Sequence, residues 1–233
     1  MARDGFSGIA GRLTEIGRRF YMRGWVMGTS GNFSAVVSRK PFRLAITASS
    51  AHKGQLRPSD VLQCDEYGAV VGRKAGKPNA ARATSGRPSA ETLLHIEIAR
   101  RRAAGAVLHT HSVWTTVLSD LHAGAGGFTI EGYEMLKGLH GVRSHDHREW
   151  IPILANDQNM PRLAQRAGET LDRFAEAHAF LLCRHGLYTW GDTLADAERH
   201  IEILEFLFET LGRTGQVGQV GQVGKTGGTS WRS

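Results

Sequence analysis

The sequence predicts a single α/β domain over residues 1–212, followed by a tail. The chain has 233 residues, 41% of them hydrophobic, which is enough for one sizeable core. Stretches with apolar residues at helical spacing alternate along it with short apolar runs typical of strands. From residue 216 this pattern gives way to three repeats of Gln-Val-Gly. We expect residues 213–233 to be disordered, because such repeats offer no apolar face to bury.

The formal charge of +7 is concentrated in two places. Residues 73–87 contain five basic residues and no acidic one, and residues 213–233 add three basic residues. Since the rest of the chain is close to neutral, no basic face is predicted within the fold. We expect residues 73–87 to form a mobile surface loop, and we expect no nucleic-acid partner.

Cysteine content and hydropathy indicate a cytoplasmic protein. The two cysteines, Cys64 and Cys183, are too few for a disulfide framework and fit a reducing compartment. No N-terminal stretch resembles a signal peptide, and the apolar runs are too short to cross a bilayer. We therefore expect a cytoplasmic location and no membrane partner.

The first third of the chain predicts a helix, two strands and a hairpin. Apolar residues recur at helical spacing over residues 9–20, and the helix should end near Gly24. Strand patterns follow at residues 33–37 and 42–46, and a hairpin pattern covers residues 61–71.

Two small polar runs beside the first strands indicate an oxyanion site. Residues 28–34 read Gly-Thr-Ser-Gly-Asn-Phe-Ser, and residues 47–54 read Thr-Ala-Ser-Ser-Ala-His-Lys-Gly. Glycine and small hydroxyl residues leave backbone N–H groups open to a phosphate, and Lys53 adds a positive charge. A tight turn before a strand explains either run alone equally well, so the indication rests on the pair.

The dipeptide Pro88-Ser89 predicts the start of the next helix, which runs to Arg102. Ser89 is its expected N-cap, and Glu91 lies in its first turn, where a carboxylate interacts favourably with the helix dipole. The position of Glu91 is thus explained without any catalytic role.

Two histidines occupy the apolar stretch over residues 106–112, Ala-Val-Leu-His-Thr-His-Ser. In a strand, side chains two residues apart lie on one face, so His109 and His111 point the same way as Val107. Their Cβ atoms are then roughly 6–7 Å apart, close enough for both imidazoles to bind one cation. Ordinary buried histidines are the competing explanation, and a metal site needs a further ligand from elsewhere.

The best candidate for that ligand is His185. It follows a short apolar strand pattern at residues 179–183 and precedes Gly186, which allows a close approach of the backbone. His145 and His147 form a second His-x-His pair, but their polar surroundings lack the apolar frame that keeps a metal site rigid.

The remaining elements alternate between helix and strand. Helical patterns cover residues 113–121 and 161–177, and strand patterns cover residues 149–156 and 187–190. Residues 129–139 are predicted as a helix whose charged face is solvated, and a long final helix is predicted after Thr193.

Several short motifs, in order along the chain, resemble the class II aldolase/adducin family. They are Ser30-Gly31-Asn32, Pro88-Ser89-Ala90-Glu91, His109-Thr110-His111 and Arg184-His185-Gly186. Further segments resemble the branch of that family that removes water from ketose phosphates, at residues 132–138, 151–153, 156–158 and 185–191. The resemblance extends over roughly residues 13–211.

This resemblance implies a three-layer α/β/α sandwich around a mainly antiparallel sheet. It implies one zinc ion per subunit on His109, His111 and His185, and a homotetramer with its active sites at subunit interfaces. It places the phosphate of a ketose phosphate substrate at Ser30, Gly31, Asn32, Thr47, Ser49 and Ser89. Where the aldolases have a second serine before their glutamate, this chain has Ala90 and so departs from the family.

Two glutamates match catalytic positions of the family. The dehydratases use the residue that corresponds to Glu134 as acid/base, whereas the aldolases use the one that corresponds to Glu91. We take Glu134 as the acid/base, and Glu91 as a second carboxylate that relays a proton or caps its helix. The reaction implied is loss of water from C3 and C4 of the substrate through a metal-stabilised enediolate.

Two other functions remain open at this point. A sugar-phosphate aldolase or epimerase of the same superfamily, of the fuculose or ribulose phosphate type, needs the same metal and the same enediolate. A metal-free, adducin-like interaction module needs neither, and it is disfavoured because all three ligand positions hold histidine.

Overall fold

The computed structural model describes residues 5–72 and 86–223, with side chains as far as residue 215. In this part of the chain eight strands form one sheet: β1 Asn32–Arg39, β2 Phe42–Thr47, β3 Val61–Cys64, β4 Ala106–Thr110, β5 Gly127–Ile130, β6 Glu149–Leu154, β7 Ala179–Leu182 and β8 Gly186–Gly191. The α-helices are α1 Phe6–Met22, α2 Thr92–Arg101, α3 Val113–Leu121, α4 Met160–Arg173 and α5 Leu194–Val223.

The strand order in the sheet is β3-β2-β1-β4-β8-β7-β6-β5. Neighbouring strands run antiparallel, except β6 and β7, which are parallel. The mainly antiparallel sheet is therefore confirmed. Strand β4 is central, and its pairing with both β1 and β8 includes His109, so the histidine end of β4 is held on both sides.

Helices cover both faces of the sheet, as successive residues of β4 show. Leu108 belongs to a core that includes Leu204 of α5 and residues of α1 and α3. Val107 belongs to a second core, with Leu94 of α2 and Leu163 of α4. Since alternate side chains of a strand point to opposite faces, the two cores lie on opposite sides of the sheet. The three-layer α/β/α sandwich is confirmed.

Residues 129–139 do not form the predicted helix. Phe128 and Ile130 are buried in β5, which pairs with β6, and a short 3-10 helix, Glu134–Gly138, follows. Between these two elements Gly132 has φ +79°, in the left-handed region, which interrupts a continuous helix. The prediction was wrong because the apolar alternation of β5 was read as part of a helical pattern.

Helix α2 begins at Thr92, later than the predicted start at Ser89. Pro88 forms an antiparallel bridge with Ala48, which keeps the chain extended at this point. Ser89 instead lies in a turn, where its carbonyl accepts hydrogen bonds from the N–H and the hydroxyl of Thr92. Glu91 is therefore the N-cap residue, and its side chain makes no capping hydrogen bond.

Helix α5 continues to Val223, so residues 213–223 are helical rather than disordered as predicted. A helix that is already nucleated and packed adds further residues at small cost, which explains the extension. Residues 224–233 of the tail and residues 73–85 of the predicted basic loop lie outside the described residues. Within the described ranges, no helix is both long and apolar enough to cross a membrane.

Ending the chain at Gly215 should leave stability and activity unchanged. Phe208 and Leu211 of α5 pack in the core, whereas residues 213–215 are exposed. We expect the melting temperature to change by no more than about 1–2 °C, because the cut follows exposed residues and leaves the packed part of α5 in place. Thermal denaturation and size-exclusion chromatography of the truncated chain measure this. A large loss of melting temperature, or a change in the size of the eluting species, would show that the tail docks on the fold.

Candidate active site

Three histidines meet where β4 ends beside β8. His109 is in β4, His111 follows that strand directly, and His185 immediately precedes β8. The Nε2 atoms of His109 and His111 are 2.7 Å apart. One ring nitrogen from each of the three histidines lies within 4.8 Å of the other two. The structure thus brings the distant His185 to the predicted pair.

Close packing of β8 against β4 holds the histidine rings in place. A Cβ atom at Gly186 would overlap the Thr110 carbonyl oxygen and lie 3.0 Å from the ring of His109 and 3.1 Å from that of His111, so only glycine allows this approach. The ring of His109 also stacks on Tyr188 of β8 at a centroid distance of 3.9 Å, and Tyr188 stacks on Phe180 of β7. These buried neighbours form the apolar frame that a fixed metal site needs.

The three imidazoles are neutral and suited to bind a metal ion. Nδ1 of His109 donates to the carbonyl oxygen of Leu187 at 2.8 Å, which leaves its Nε2 as a lone-pair donor. Burial lowers the pKa of all three histidines, and that of His111 falls to about 2. Neutral imidazole is the form that binds metals, so these residues fit a divalent ion.

Glu91 is the carboxylate that the structure places beside the histidines. Its Oε1 atom lies 3.4 Å from Nε2 of His185, and its Oε2 atom lies 3.5 Å from Nε2 of His109. Its side chain is only 12% exposed. A largely buried carboxylate at this distance adds negative charge where a cation would bind.

A buried hydrogen-bond chain orients the Asn32 amide toward Glu91. His95 contacts the Ser34 hydroxyl with Nδ1 at 2.8 Å and Asn32 Oδ1 with Nε2. The amide nitrogen of Asn32 then donates to Ser89 Oγ at 2.9 Å and to Glu91 at 2.5 Å. Burial lowers the pKa of His95 to about 4, so this ring is neutral. His95 therefore fixes which end of the amide faces the site.

A cleft of about 310 Å³ opens beside the histidines. Lys53 lines this cleft. So do most of the residues that the resemblance assigned to phosphate, namely Ser30, Gly31, Asn32, Ser49 and Ser89. Gly31 has φ +70°, and a Cβ atom there would lie 2.6 Å from Val26 and 2.7 Å from the His109 carbonyl oxygen. Within the described residues, the buried Ser30 hydroxyl has no hydrogen-bond partner, so it is available to a ligand.

Lys53 is a buried cation on the cleft wall. Its Nζ atom donates to the carbonyl oxygens of Thr29 at 3.0 Å and Ala51 at 2.9 Å. Burial lowers its pKa to about 8, although the charge of Glu91 partly opposes this shift. Since an ammonium group has three donors, one remains for an anion in the cleft.

Phosphate binding should weaken as the pH rises through about 8, because the lowered pKa of Lys53 means that its charge is lost there. We expect inorganic phosphate to bind about tenfold more weakly at pH 9 than at pH 7 through this group. Calorimetric titration measures the effect. Lys53→Met should bind weakly at both pH values and serves to correct for the titration of phosphate itself. An identical pH dependence in the variant would remove Lys53 from the phosphate site.

Glu134 does not join the histidine cluster within one chain. It begins the 3-10 helix Glu134–Gly138, is 73% exposed and forms an ion pair with Lys137 at 2.7 Å. Lys137 lowers the pKa of Glu134, so this carboxylate is ionised at neutral pH. The described lining of the cleft does not include it.

Three other residues also lie away from the cleft. Thr47 is buried in β2, where its hydroxyl accepts the N–H of Phe33 at 3.2 Å instead of facing the cleft. His145 is 56% exposed, and His147 contacts Glu149 at 2.8 Å in a separate cluster. Neither rival lies in the cluster of His109 and His111, which His185 completes.

Four polar residues of the cleft wall were not predicted as site residues: Thr29, Ser50, Asn156 and Gln158. Thr29 and Ser50 lie within the two polar runs, so the sequence pattern that predicted an oxyanion site already included them. Asn156 and Gln158 follow β6, and only the resemblance of residues 156–158 pointed to them. Their approach to the cleft depends on where β6 lies in the sheet.

Comparison with known proteins gives matches over most of the chain. A family model described as Class II Aldolase and Adducin N-terminal domain matches residues 11–211. The methylthioribulose-1-phosphate dehydratase of Methylococcus capsulatus is 47% identical over 206 residues, which is 88% of this chain and 93% of that protein. The proteins of that name from Marinobacter nauticus and Sorangium cellulosum are each 42% identical over 88% of this chain, and the matches cover 92% and 91% of them.

Solved structures show the same fold at lower identity. An L-fuculose 1-phosphate aldolase superposes with a TM-score of 0.70 at 21% identity, covering 91% of this chain and 88% of its own. The L-fuculose-1-phosphate aldolase of Thermus thermophilus superposes with a TM-score of 0.67 at 23% identity, covering 90% of this chain and 98% of its own. At these identities the likeness concerns the fold alone.

Proposed function

The chain belongs to the class II aldolase and adducin family, and from this premise we propose that it dehydrates 5-methylthioribulose 1-phosphate to 5-methylthio-2,3-dioxopentyl 1-phosphate. This is a hydro-lyase reaction of methionine salvage. The observation that carries the proposal is the 42–47% identity, over 88% of the chain, to relatives named methylthioribulose-1-phosphate dehydratase. The two free cysteines, Cys64 and Cys183, support the cytoplasm as its location.

His109, His111 and His185 would hold one zinc ion per chain. Three neutral nitrogen ligands are a set typical of catalytic zinc, since they leave a further position for substrate. When bound, the ion would supply Lewis-acid polarisation of the substrate's oxygens. The presence of histidine at all three positions argues against a non-catalytic module.

The cleft between the two polar runs would bind the substrate phosphate. Ser30, Ser49 and Ser89 offer hydroxyl groups, and Gly31 adds a backbone N–H group. Asn32 holds Ser89 in place through its amide. Lys53 contributes the positive charge. Thr47 supports this wall indirectly, because its hydroxyl ties β2 to the start of β1.

The dehydration needs a base for the C3 proton and an acid for the departing C4 hydroxyl group. The C3 proton is acidic because the adjacent C2 carbonyl accepts the resulting charge. We assign the acid/base role to Glu134, which is ionised and can accept that proton. Glu91, beside the histidines, would orient the substrate or relay a proton.

Glu134 would reach the histidines from a neighbouring copy of the chain. Val113, Val117 and Leu121 of α3 recur every fourth residue and are 68%, 44% and 67% exposed, which forms an apolar stripe. Met135, next to Glu134, is also exposed. An apolar surface of this kind is typical of a subunit interface. It supports contact between subunits, and we propose a homotetramer whose active sites lie at such contacts.

A sugar-phosphate aldolase or epimerase is the second candidate, and the position of Glu91 favours it. In that case Glu91, already beside His109 and His185, acts as the base. The aldolase cleaves the bond between C3 and C4, and the epimerase cleaves that bond and re-forms it with the opposite configuration. The two functions share the metal and the enediolate, so only the products separate them.

Incubation of the purified, zinc-loaded protein with methylthioribulose 1-phosphate tests the proposal. The dehydratase should form the diketone without fragmentation, as followed by mass spectrometry. Fuculose 1-phosphate and ribulose phosphates serve as comparison substrates. Cleavage of these sugars, with no diketone from the first substrate, would favour the aldolase instead.

A further inference from the structure

A second cluster of metal-ligating side chains lies outside the site described above. Glu149 begins β6, His147 lies two residues before it, and His178 immediately precedes β7. Nε2 of His147 and Nδ1 of His178 lie 2.8 Å and 2.9 Å from the same atom, Oε2 of Glu149. We propose that these three residues form a second metal site, which binds one divalent first-row transition-metal ion.

The orientation of His178 leaves its Nδ1 atom available to bind a metal ion. Its Nε2 atom lies 2.7 Å from the carbonyl oxygen of His140, which can only accept, so Nε2 carries a hydrogen. Nδ1 then faces a carboxylate oxygen, and a cation must lie between them, either a metal ion or a second proton. His109 is held by the Leu187 carbonyl in the same way. Such a contact on the far ring nitrogen is typical of metal-bound histidines.

Glu149 is equally fixed. Its Oε1 atom accepts the backbone N–H of His178 at 2.9 Å, so Oε2 is the oxygen left to face the two imidazoles. The side chain is only 1% exposed. Because an unpaired buried carboxylate is costly, this charge requires a cation beside it.

His200 holds the backbone of His140, the residue whose carbonyl group orients His178. It accepts the backbone N–H of His140 at its Nε2 atom, 3.1 Å away, and donates from Nδ1 to the Trp190 carbonyl oxygen at 2.7 Å. Both of its nitrogens are therefore engaged, so His200 supports the site and is not a ligand. The three proposed ligands thus rest on a buried frame tied to β8.

The cluster is open to ions from solvent. Its two histidines line a cleft of about 460 Å³, and His147 is 28% exposed. Three carboxylates and one guanidinium belong to the described wall, at Glu176, Asp192, Asp196 and Arg102. This balance favours a cation over an anion. Two imidazoles and one carboxylate, completed by water, suit Zn²⁺, Co²⁺ or Fe²⁺.

Metal counting tests the site. The protein is stripped of metal, reloaded with Zn²⁺ at pH 7.5, freed of excess ion and measured by mass spectrometry. We expect two ions per chain in the wild type, one in His147→Ala and one in His185→Ala, and none in the double variant. His147→Ala should keep its turnover. His145→Ala, which changes an exposed histidine of the same loop, should keep both ions and is the matched control.

A second variant tests the same site in case His147→Ala does not fold. Glu149→Gln keeps the shape of the side chain but removes its charge, and it should also lose one ion. Wild-type metal content in both variants would show that a proton occupies the cluster and would overturn the proposal. The count does not depend on turnover, so a chain inactive as a dehydratase that still loses one ion in His147→Ala supports the second site.

Discussion

His185→Ala is expected to abolish turnover and to weaken metal binding while the fold is retained. Loss of a group that merely orients a ligand typically costs 10- to 100-fold in metal affinity, so loss of a ligand should cost at least about 100-fold. His185 is the cleanest of the three positions to change. Its Nδ1 atom has no partner among the described residues, whereas His109 is stacked on Tyr188 and hydrogen-bonded to Leu187.

Zinc titration against a competing chelator and steady-state kinetics measure the two effects, and thermal denaturation checks the fold. His145→Ala is again the control for the zinc titration alone, because it removes an exposed imidazole that lies outside the cluster but 3.9 Å from Glu134. His109→Ala should lose metal too, but with a lower melting temperature because it removes a fully buried ring. A His185→Ala protein with wild-type affinity and rate would refute the ligand assignment.

Glu134→Gln should slow turnover by roughly 10²- to 10⁴-fold while the metal stays bound. Glutamine keeps the shape of the side chain but cannot accept the C3 proton. Exchange of that proton with deuterated solvent should slow equally, since an enzyme blocked only at water loss would still exchange it. Lys137→Met is the matched control: it removes the ion pair that lowers the pKa of Glu134 but leaves the carboxylate in place.

Glu91→Gln is expected to do less to exchange, because in this assignment Glu91 orients or relays and does not abstract the proton. Its carboxylate contacts two of the three histidines, so part of its effect should appear as weaker metal binding. The opposite result, with exchange stopped by Glu91→Gln and intact in Glu134→Gln, would move the base to Glu91. Such a site would use the base of the aldolases.

If the active site is shared between two subunits, the role of Glu134 can be tested by complementation. If this carboxylate acts on the histidines of a neighbouring subunit, co-expression of Glu134→Gln with His185→Ala should restore part of the activity. Each mixed interface can then contain an intact glutamate from one chain and intact histidines from the other. Absence of any recovery in verified mixed oligomers would place the acid/base within one chain.

Local patterns were sufficient for most elements of the fold. Helix α3 spans the same residues as its predicted pattern, and every described strand except β5 formed where a short apolar run or hairpin pattern was predicted. The errors came where one pattern fits two structures. Residues 129–139 fit a helical pattern, but the start of this segment forms strand β5 because it pairs with β6. The start of α2 moved because Pro88 bridges to Ala48, a contact between segments distant in sequence.

By itself the sequence determined the α/β class, the shared face of His109 and His111, and the small polar runs, because strand periodicity and residue size are local properties. The tertiary structure alone decided which carboxylate meets the histidines. Glu91, explained from sequence by a helix dipole, lies beside them, whereas Glu134 is exposed on the surface of the chain. The tertiary structure also buried Lys53 and placed Glu149 beside His178. These contacts join segments that are far apart in the sequence, and no local pattern encodes which segments become neighbours.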